Sequence, residues 1–147
     1  MEHEEYMRQA LELARLAMAE GEVPVGCVIV RDGAVVGRGR NRRETAQTAL
    51  GHAELEAIAQ ACRTLGGWRL AGCALYVTLE PCPMCAGAIV NARIDRVYYG
   101  ARDDKAGCCG SVLNLFMEGF NHHPRVYGGI LKEPCAALLR QFFERLR

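Results

Sequence analysis

The sequence predicts an α/β protein: three layers, α/β/α, around a mixed central sheet of about five strands. Three observations predict it. First, the Val-rich runs VPVGCVIV and AVVGRGRN flank Asp32-Gly33, a strong two-residue hairpin signal. Second, strand-like and helix-like stretches alternate after the hairpin, the pattern of parallel strands joined by right-handed crossovers. Third, amphipathic helical stretches open and close the chain, so helices are at hand for both faces of the sheet.

Taken in order, residues 2–19 carry Tyr6, Ala10, Leu13, Ala14 and Ala17 at spacings of three and four, a helix ended by Gly21. Residues 25–30 are apolar on both faces, as a covered central strand requires. Residues 53–64 are rich in Ala, Leu and Glu and read as a helix stopped by Gly66-Gly67. Residues 73–79 (CALYVTL) form a buried strand, and PMCAGAIVNA opens a helix with Pro83 at its first position. RVYYGA is a further strand, residues 102–124 are irregular or weakly helical, and residues 125–127 make a short strand. CAALLRQFFERL closes as an amphipathic helix. No repeat, low-complexity tract or linker interrupts the chain, so residues 1–147 are expected to be one domain.

Composition narrows the function. The formal charge is +1, so no global basic field argues for nucleic acid, although a local patch stays open. The N-terminus MEHEEYMRQALEL lacks the apolar stretch of a signal peptide, and no run is long enough to span a bilayer. A cytoplasmic protein with no membrane and no nucleotide cofactor is expected. Its eight cysteines then read as metal ligands or buried side chains before disulfides. Cys108 and Cys109 are neighbours, a spacing that strains a disulfide.

The chemistry concentrates in two short stretches. In TLEPCPMC, Cys82 and Cys85 are spaced to chelate one tetrahedral ion, and Pro83 sets them on the first turn of a helix. There the backbone dipole favours thiolates. Two structural cysteines or a redox pair would have the same spacing. Upstream lies His52-Ala53-Glu54 at a helix entry. Alone, His52 is a core or surface histidine and Glu54 a solvated acid. Residues two apart on a regular helix point to opposite sides, so both face one site only if His52 sits at an irregular entry. Together, H-A-E and P-C-x-x-C resemble the H-x-E…P-C-x-x-C signature of zinc-dependent nucleobase deaminases. Three protein ligands leave a fourth position for water. One imidazole and two thiolates bring the site near neutrality, so a neighbouring base, Glu54, is needed to take the proton from that water. Cys27, Cys62 and Cys73 are expected in the core. His122-His123 reads as a loop pair rather than a second metal site, and His3, near the terminus, as solvated.

Longer stretches carry a more specific resemblance: EVPVGCVIV, GRGRN, HAE, LYVTLEPCPMCAGAIVNARI, YGARDDKAGCCGS, GGIL and CAALLRQFF. Over nearly its whole length the chain resembles the bacterial tRNA adenosine deaminases of the zinc-dependent cytidine/deoxycytidylate deaminase superfamily. These convert the wobble adenosine of an anticodon loop to inosine. The resemblance implies a cytidine-deaminase-like fold and one Zn2+ per chain on His52, Cys82 and Cys85, with Glu54 as proton shuttle. It also implies Asn41 on the flipped purine and Asp103 at the substrate sugar and backbone. Both residue types equally suit turns without a ligand. The implied partners are a tRNA anticodon stem-loop and a second copy of the chain in a homodimer. Cys108-Cys109 and the longer NHHPRV segment depart from the family pattern. Two alternatives stand beside this reading. One is a deaminase of guanine, cytosine or a nucleoside, against which the family stretches and Arg38, Arg40, Arg42, Arg43 and Lys105 weigh. The other is a non-catalytic partner subunit folded around zinc, against which Glu54 weighs. GAIVNARI fits a dimer interface or an internal core face.

Overall fold

The structure, a computed structural model, describes residues 2–146. Ten elements follow in order: α1 (Glu2–Ala19), β1 (Gly26–Arg31), β2 (Ala34–Arg40), α2 (Ala53–Leu65), β3 (Ala74–Leu79), α3 (Pro83–Asn91), β4 (Arg96–Ala101), a 3-10 turn (Leu115–Met117), β5 (Arg125–Tyr127) and α4 (Lys132–Arg145). The expected α/β/α architecture with a mixed five-stranded sheet is what forms. The sheet order is β2-β1-β3-β4-β5. β1 runs antiparallel to both β2 and β3, whereas β3, β4 and β5 are mutually parallel. Among the described residues, no helix is long and apolar enough to cross a membrane.

Local chemistry sets the turns. Asp32 (φ 51°) and Gly33 (φ 77°) both lie in the left-handed region, as the primed turn between β1 and β2 demands. Gly66 ends α2 in the same region at φ 75°, its N–H donating to the Cys62 carbonyl.

Strand alternation divides the core into two layers. Cys27, Ile29, Leu75, Val77, Val97 and Tyr99 pack with the Ala-rich face of α2 and with Ala86 and Ile89 of α3. Val28, Val30, Tyr76 and Tyr98 pack with Met7, Leu11 and Ala14 of α1 and Leu138 of α4. The Arg8–Glu4, Arg8–Glu5 and Arg15–Glu12 pairs on α1 are solvent-exposed. Such pairs contribute at most about 1 kcal/mol. Burial of one large apolar side chain contributes ~1.5–3 kcal/mol, so the buried stripe of α1 holds it in place.

Two expectations need correction. His3 is not solvated: its Nδ1 lies 2.7 Å from the Tyr76 hydroxyl, and its ring stacks on Tyr98 with centroids 4.3 Å apart. The parallel register aligns Tyr76, Tyr98 and Tyr127 side by side, and His3 joins this aromatic row, a relation that needs the register to be known. Cys62 is only half-buried, at the end of α2 beside the Trp68 carbonyl.

Glycines let α2 lie directly on β2. A methyl group at Gly39 would meet the Ala57 backbone nitrogen at 2.7 Å, and one at Gly37 would meet the Ala61 nitrogen at 3.1 Å. Backbone cannot move aside as a flexible side chain can. Gly39→Ala is therefore expected to destabilise the fold by ~1–3 kcal/mol and to displace the first turn of α2. Gly67, which has nothing within 4 Å of the added carbon, is the control. Thermal unfolding of both variants checks this: an unchanged midpoint for Gly39→Ala would show that the two layers are not in close contact there.

Candidate active site

One edge of the sheet gathers the ends of four strands. β3 ends at Leu79 and β4 at Ala101, both C-terminal ends of parallel strands, the edge where open α/β sheets place ligands. The antiparallel hairpin brings residues before β1 and after β2 to the same edge. A cavity of about 230 Å³ opens there, walled by Val23, Val25, Asn41, Glu80, Asp103 and Ala106, with His52, Glu54 and Cys82 also lining it.

Two helix N-termini meet at this cavity. His52 is the N-cap of α2, with extended backbone (φ −96°, ψ 146°), and Cys82 is the N-cap of α3 (φ −77°, ψ 175°). The irregular entry required for His52 and Glu54 to face one site is thus present. Pro83 starts α3, and Cys85 follows on its first turn. Neither N-cap side chain makes a capping hydrogen bond, so the imidazole and thiol are left for other use.

His52 Nδ1 lies 3.7 Å from Cys82 Sγ and 3.5 Å from Cys85 Sγ. This is the one group of three potential metal ligands among the described residues. Four ligands placed tetrahedrally at zinc distances of ~2.0–2.3 Å have donors ~3.6 Å apart, and both imidazole–thiol separations match that spacing, with all three donor atoms within 4.8 Å of one another. Soft thiolates with an imidazole are also the donor set zinc favours.

The protonation pattern points the same way. The hydrogen bond from Cys85 holds the Cys82 thiol down at about 4, with His52 adding to the effect. Cys85 is pushed far up by that same shared proton and by burial. His52 is raised, chiefly by its bond to Cys82. Glu54 is buried, 4% exposed, and burial pushes its carboxyl up to about 7. A cation among the three ligands would act on it in the opposite direction.

Two buried acids that the sequence reading did not single out shape the walls. Glu80 accepts hydrogen bonds from the N–H groups of Asp103 (3.1 Å), Cys109 (2.9 Å) and Ser111 (3.1 Å), and from the Ser111 hydroxyl. Glu22 likewise holds the N–H groups of Glu44 (3.1 Å) and Thr45 (2.6 Å) and the Thr45 hydroxyl (2.6 Å). Burial raises both carboxyls and these hydrogen bonds more than offset it, so both titrate below the ordinary range. The one available signal was an acid at the border of a wholly apolar run, as in TLEP.

Asn41 and Asp103 reach the cavity and are turn-formers as well. Asn41 Nδ2 donates to the Val23 carbonyl and its Oδ1 accepts from Arg43 N–H. Asp103 Oδ1 accepts from the N–H groups of Lys105 and Ala106. Of the basic residues, Arg43 lines the cavity, while Arg40 is bound to Glu20 through two contacts of 2.8 and 2.9 Å. Cys108 and Cys109 are buried beneath the Glu80 loop, and Cys27 and Cys73 are core side chains as expected. His122 and His123 lie outside the site, each ring bonded to a backbone carbonyl.

Comparison with known proteins gives the same class of chemistry. The family model described as MafB19-like deaminase matches residues 1–147. A tRNA-specific adenosine deaminase of Bacillus subtilis is 50% identical over 97% of this chain and 89% of its own length. One from Agrobacterium fabrum is 47% identical over 99% of this chain and 97% of its own. A solved structure from studies of A-to-I editing by tRNA:A34 deaminases at the wobble position superposes with a TM-score of 0.89. It shares 46% identity and covers 92% of this chain and 99% of that one.

Removing the Glu80 carboxylate orphans three backbone donors, each unsatisfied buried group costing ~1–3 kcal/mol. Glu80→Ala is expected to lose at least ~3 kcal/mol and to speed amide exchange across residues 103–111. Because Glu22 and Glu80 are depressed in the folded state, their contribution is present above the unfolded glutamate value of about 4.3 and is lost as pH falls below it. Chemical unfolding as a function of pH checks this. A parent and a Glu80→Gln variant losing stability equally between pH 5 and about 3 would remove Glu80 from the account.

Proposed function

The chain belongs to the MafB19-like deaminase family, and from that premise we propose that it is a tRNA-specific adenosine deaminase acting on the wobble position of an anticodon loop. The observation that carries the reading is a buried carboxylate, Glu54, beside an imidazole–dithiol group at the bottom of a cavity. A structural metal site normally closes with a fourth protein ligand and needs no such acid. That speaks against a non-catalytic subunit. The curated relatives speak for tRNA over a free base or nucleoside.

His52, Cys82 and Cys85 would hold one zinc ion per chain, which would supply a Lewis acid to make water nucleophilic near neutral pH. Glu54 takes a proton from the water that attacks C6 of adenine. It delivers that proton to N1, and a further proton passes through it to the departing amino group, so adenosine and water give inosine and ammonia. Asn41 commits one Nδ2 hydrogen to Val23, and its second is free to donate to the purine ring. Asp103 commits Oδ1 to the loop, and its Oδ2 serves a ribose hydroxyl. An anticodon loop already presents unstacked bases, so bringing one into the cavity costs little.

A homodimer is part of the same reading. Ile89, Val90 and Ile94 of GAIVNARI are buried in this chain's own core. Val112, Leu113, Met117 and Phe120 are exposed on the segment packed beside α3, and they give a second copy an apolar surface.

Glu54→Gln keeps shape and hydrogen bonding but cannot cycle a proton. It is expected to bind one zinc per chain and to lose ~10²–10⁴-fold in turnover. Activity within a few-fold of the parent would remove Glu54 as the shuttle. An anticodon stem-loop with a wobble adenosine should be converted to inosine, with free adenosine a poor substrate. Binding should weaken steeply as salt rises, since phosphate contacts release counterions. Efficient turnover of guanine, cytosine or cytidine with no reaction on the stem-loop would overturn the tRNA assignment.

A further inference from the structure

A second cleft, about 380 Å³, lies at the other end of the sheet and is lined by Asp95, Arg96, His122, His123 and Arg125. Arg96 begins β4 and Arg125 begins β5, and the parallel register pairs them directly. Register partners on parallel strands present their side chains to the same face, and both arginines line the cleft. Among the described residues neither is paired with a carboxylate. Asp95 is the acid that lines the cleft, and its Oδ2 already accepts from the Gly72 N–H at 2.8 Å. In a chain of formal charge +1 this is a local excess of positive charge.

The histidines are fixed rather than free. His122 Nε2 donates to the Ile94 carbonyl at 2.7 Å, and His123 Nε2 donates to the Glu118 carbonyl at 2.8 Å. Each ring therefore keeps Nδ1 as its remaining polar atom, a second donor when the ring is protonated. Two guanidinium groups beside the rings disfavour a cation, so a metal does not suit the cleft. Planar forks of N–H donors match the oxygens of a phosphate group.

We propose that this cleft is an anion site that takes a phosphate group through Arg96 and Arg125, with His122 and His123 as flanking donors. The phosphate has two possible sources, a free or terminal phosphate and an RNA phosphodiester. Tyr127 bears on the second. It follows Arg125 by two residues on the same strand face, is 45% exposed, and stacks on Tyr98 at 5.2 Å, so an aromatic surface continues the strand face that Arg125 begins. The site stands whether or not the proposed reaction is correct, because its binding is read without turnover.

The test compares the parent with the double variant Arg96→Gln/Arg125→Gln. Both positions are exposed strand ends, and thermal unfolding confirms that the variant is folded. The single variants carry the same measurements should the double variant prove unstable. Calorimetric titration with inorganic pyrophosphate reads the free-anion source, with affinity expected to fall at least tenfold in the variant. The salt dependence of binding to a full-length tRNA reads the phosphodiester source. The slope of log K against log salt should become shallower by ~0.7–0.9 for each phosphate that the variant no longer neutralises. Either change supports the site and identifies its source. Equal pyrophosphate affinity, or no pyrophosphate binding by the parent, together with an unchanged salt slope overturns it. Stem-loop deamination, measured alongside, is expected to stay within twofold of the parent.

Discussion

Everything at the catalytic edge depends on two helices that enter it uncapped. The N-cap position usually goes to Ser, Thr, Asp or Asn, whose side chain satisfies a backbone N–H and adds about 1 kcal/mol. Here the two positions are His52 and Cys82, and neither side chain makes a capping hydrogen bond. Both helices direct the positive ends of their dipoles at one small volume. Negative charge is thereby favoured where the thiolates and Glu54 lie. The capping forgone by α2 and α3 is offset by their packing on the sheet and by whatever occupies the volume between them.

The cavity walls follow a second rule. The segments after β2 and β4 have little regular structure, yet each is ordered around a single buried carboxylate, Glu22 in one case and Glu80 in the other. A carboxylate is suited to this role because it accepts several N–H groups converging from an irregular backbone. The result is a cavity lined by Glu54 between two loops that carry Asn41 and Asp103 on its wall. Local side-chain geometry, rather than extended secondary structure, determines the shape of the opening.

Legibility differed by the range of the interaction. The hairpin, the helix starts and stops, and the H-x-E…P-C-x-x-C pair are visible because their physics acts over a few residues. The irregular entry at His52 could be deduced, since two residues apart on a helix cannot face one site. What stayed hidden depended on register or on distant partners. His3 looked solvated because nothing near it in the chain reveals Tyr76 and Tyr98. Glu22 and Glu80 carry no local signature because their donors lie more than twenty residues away. Asn41 and Asp103 posed turn against ligand as alternatives, and the structure shows both making turns on the cavity wall. The course of residues 102–124 could not be read because a buried carboxylate, not periodicity, organises their first half.

The aromatic row has a consequence for how the chain is made. α1 precedes every strand it packs against; His3 meets Tyr76 across a separation of 73 residues. At a translation rate of ~5–20 residues per second, α1 waits about 4 to 15 s for that partner to be added. During the wait its apolar stripe, Met7, Leu11 and Ala14, has only Val28 and Val30 of the hairpin to cover. The hairpin can form early, but the parallel β3–β4 pairing that completes the row must close a longer loop. The face of the sheet that α1 covers is therefore completed only once β3 and β4 have joined the hairpin.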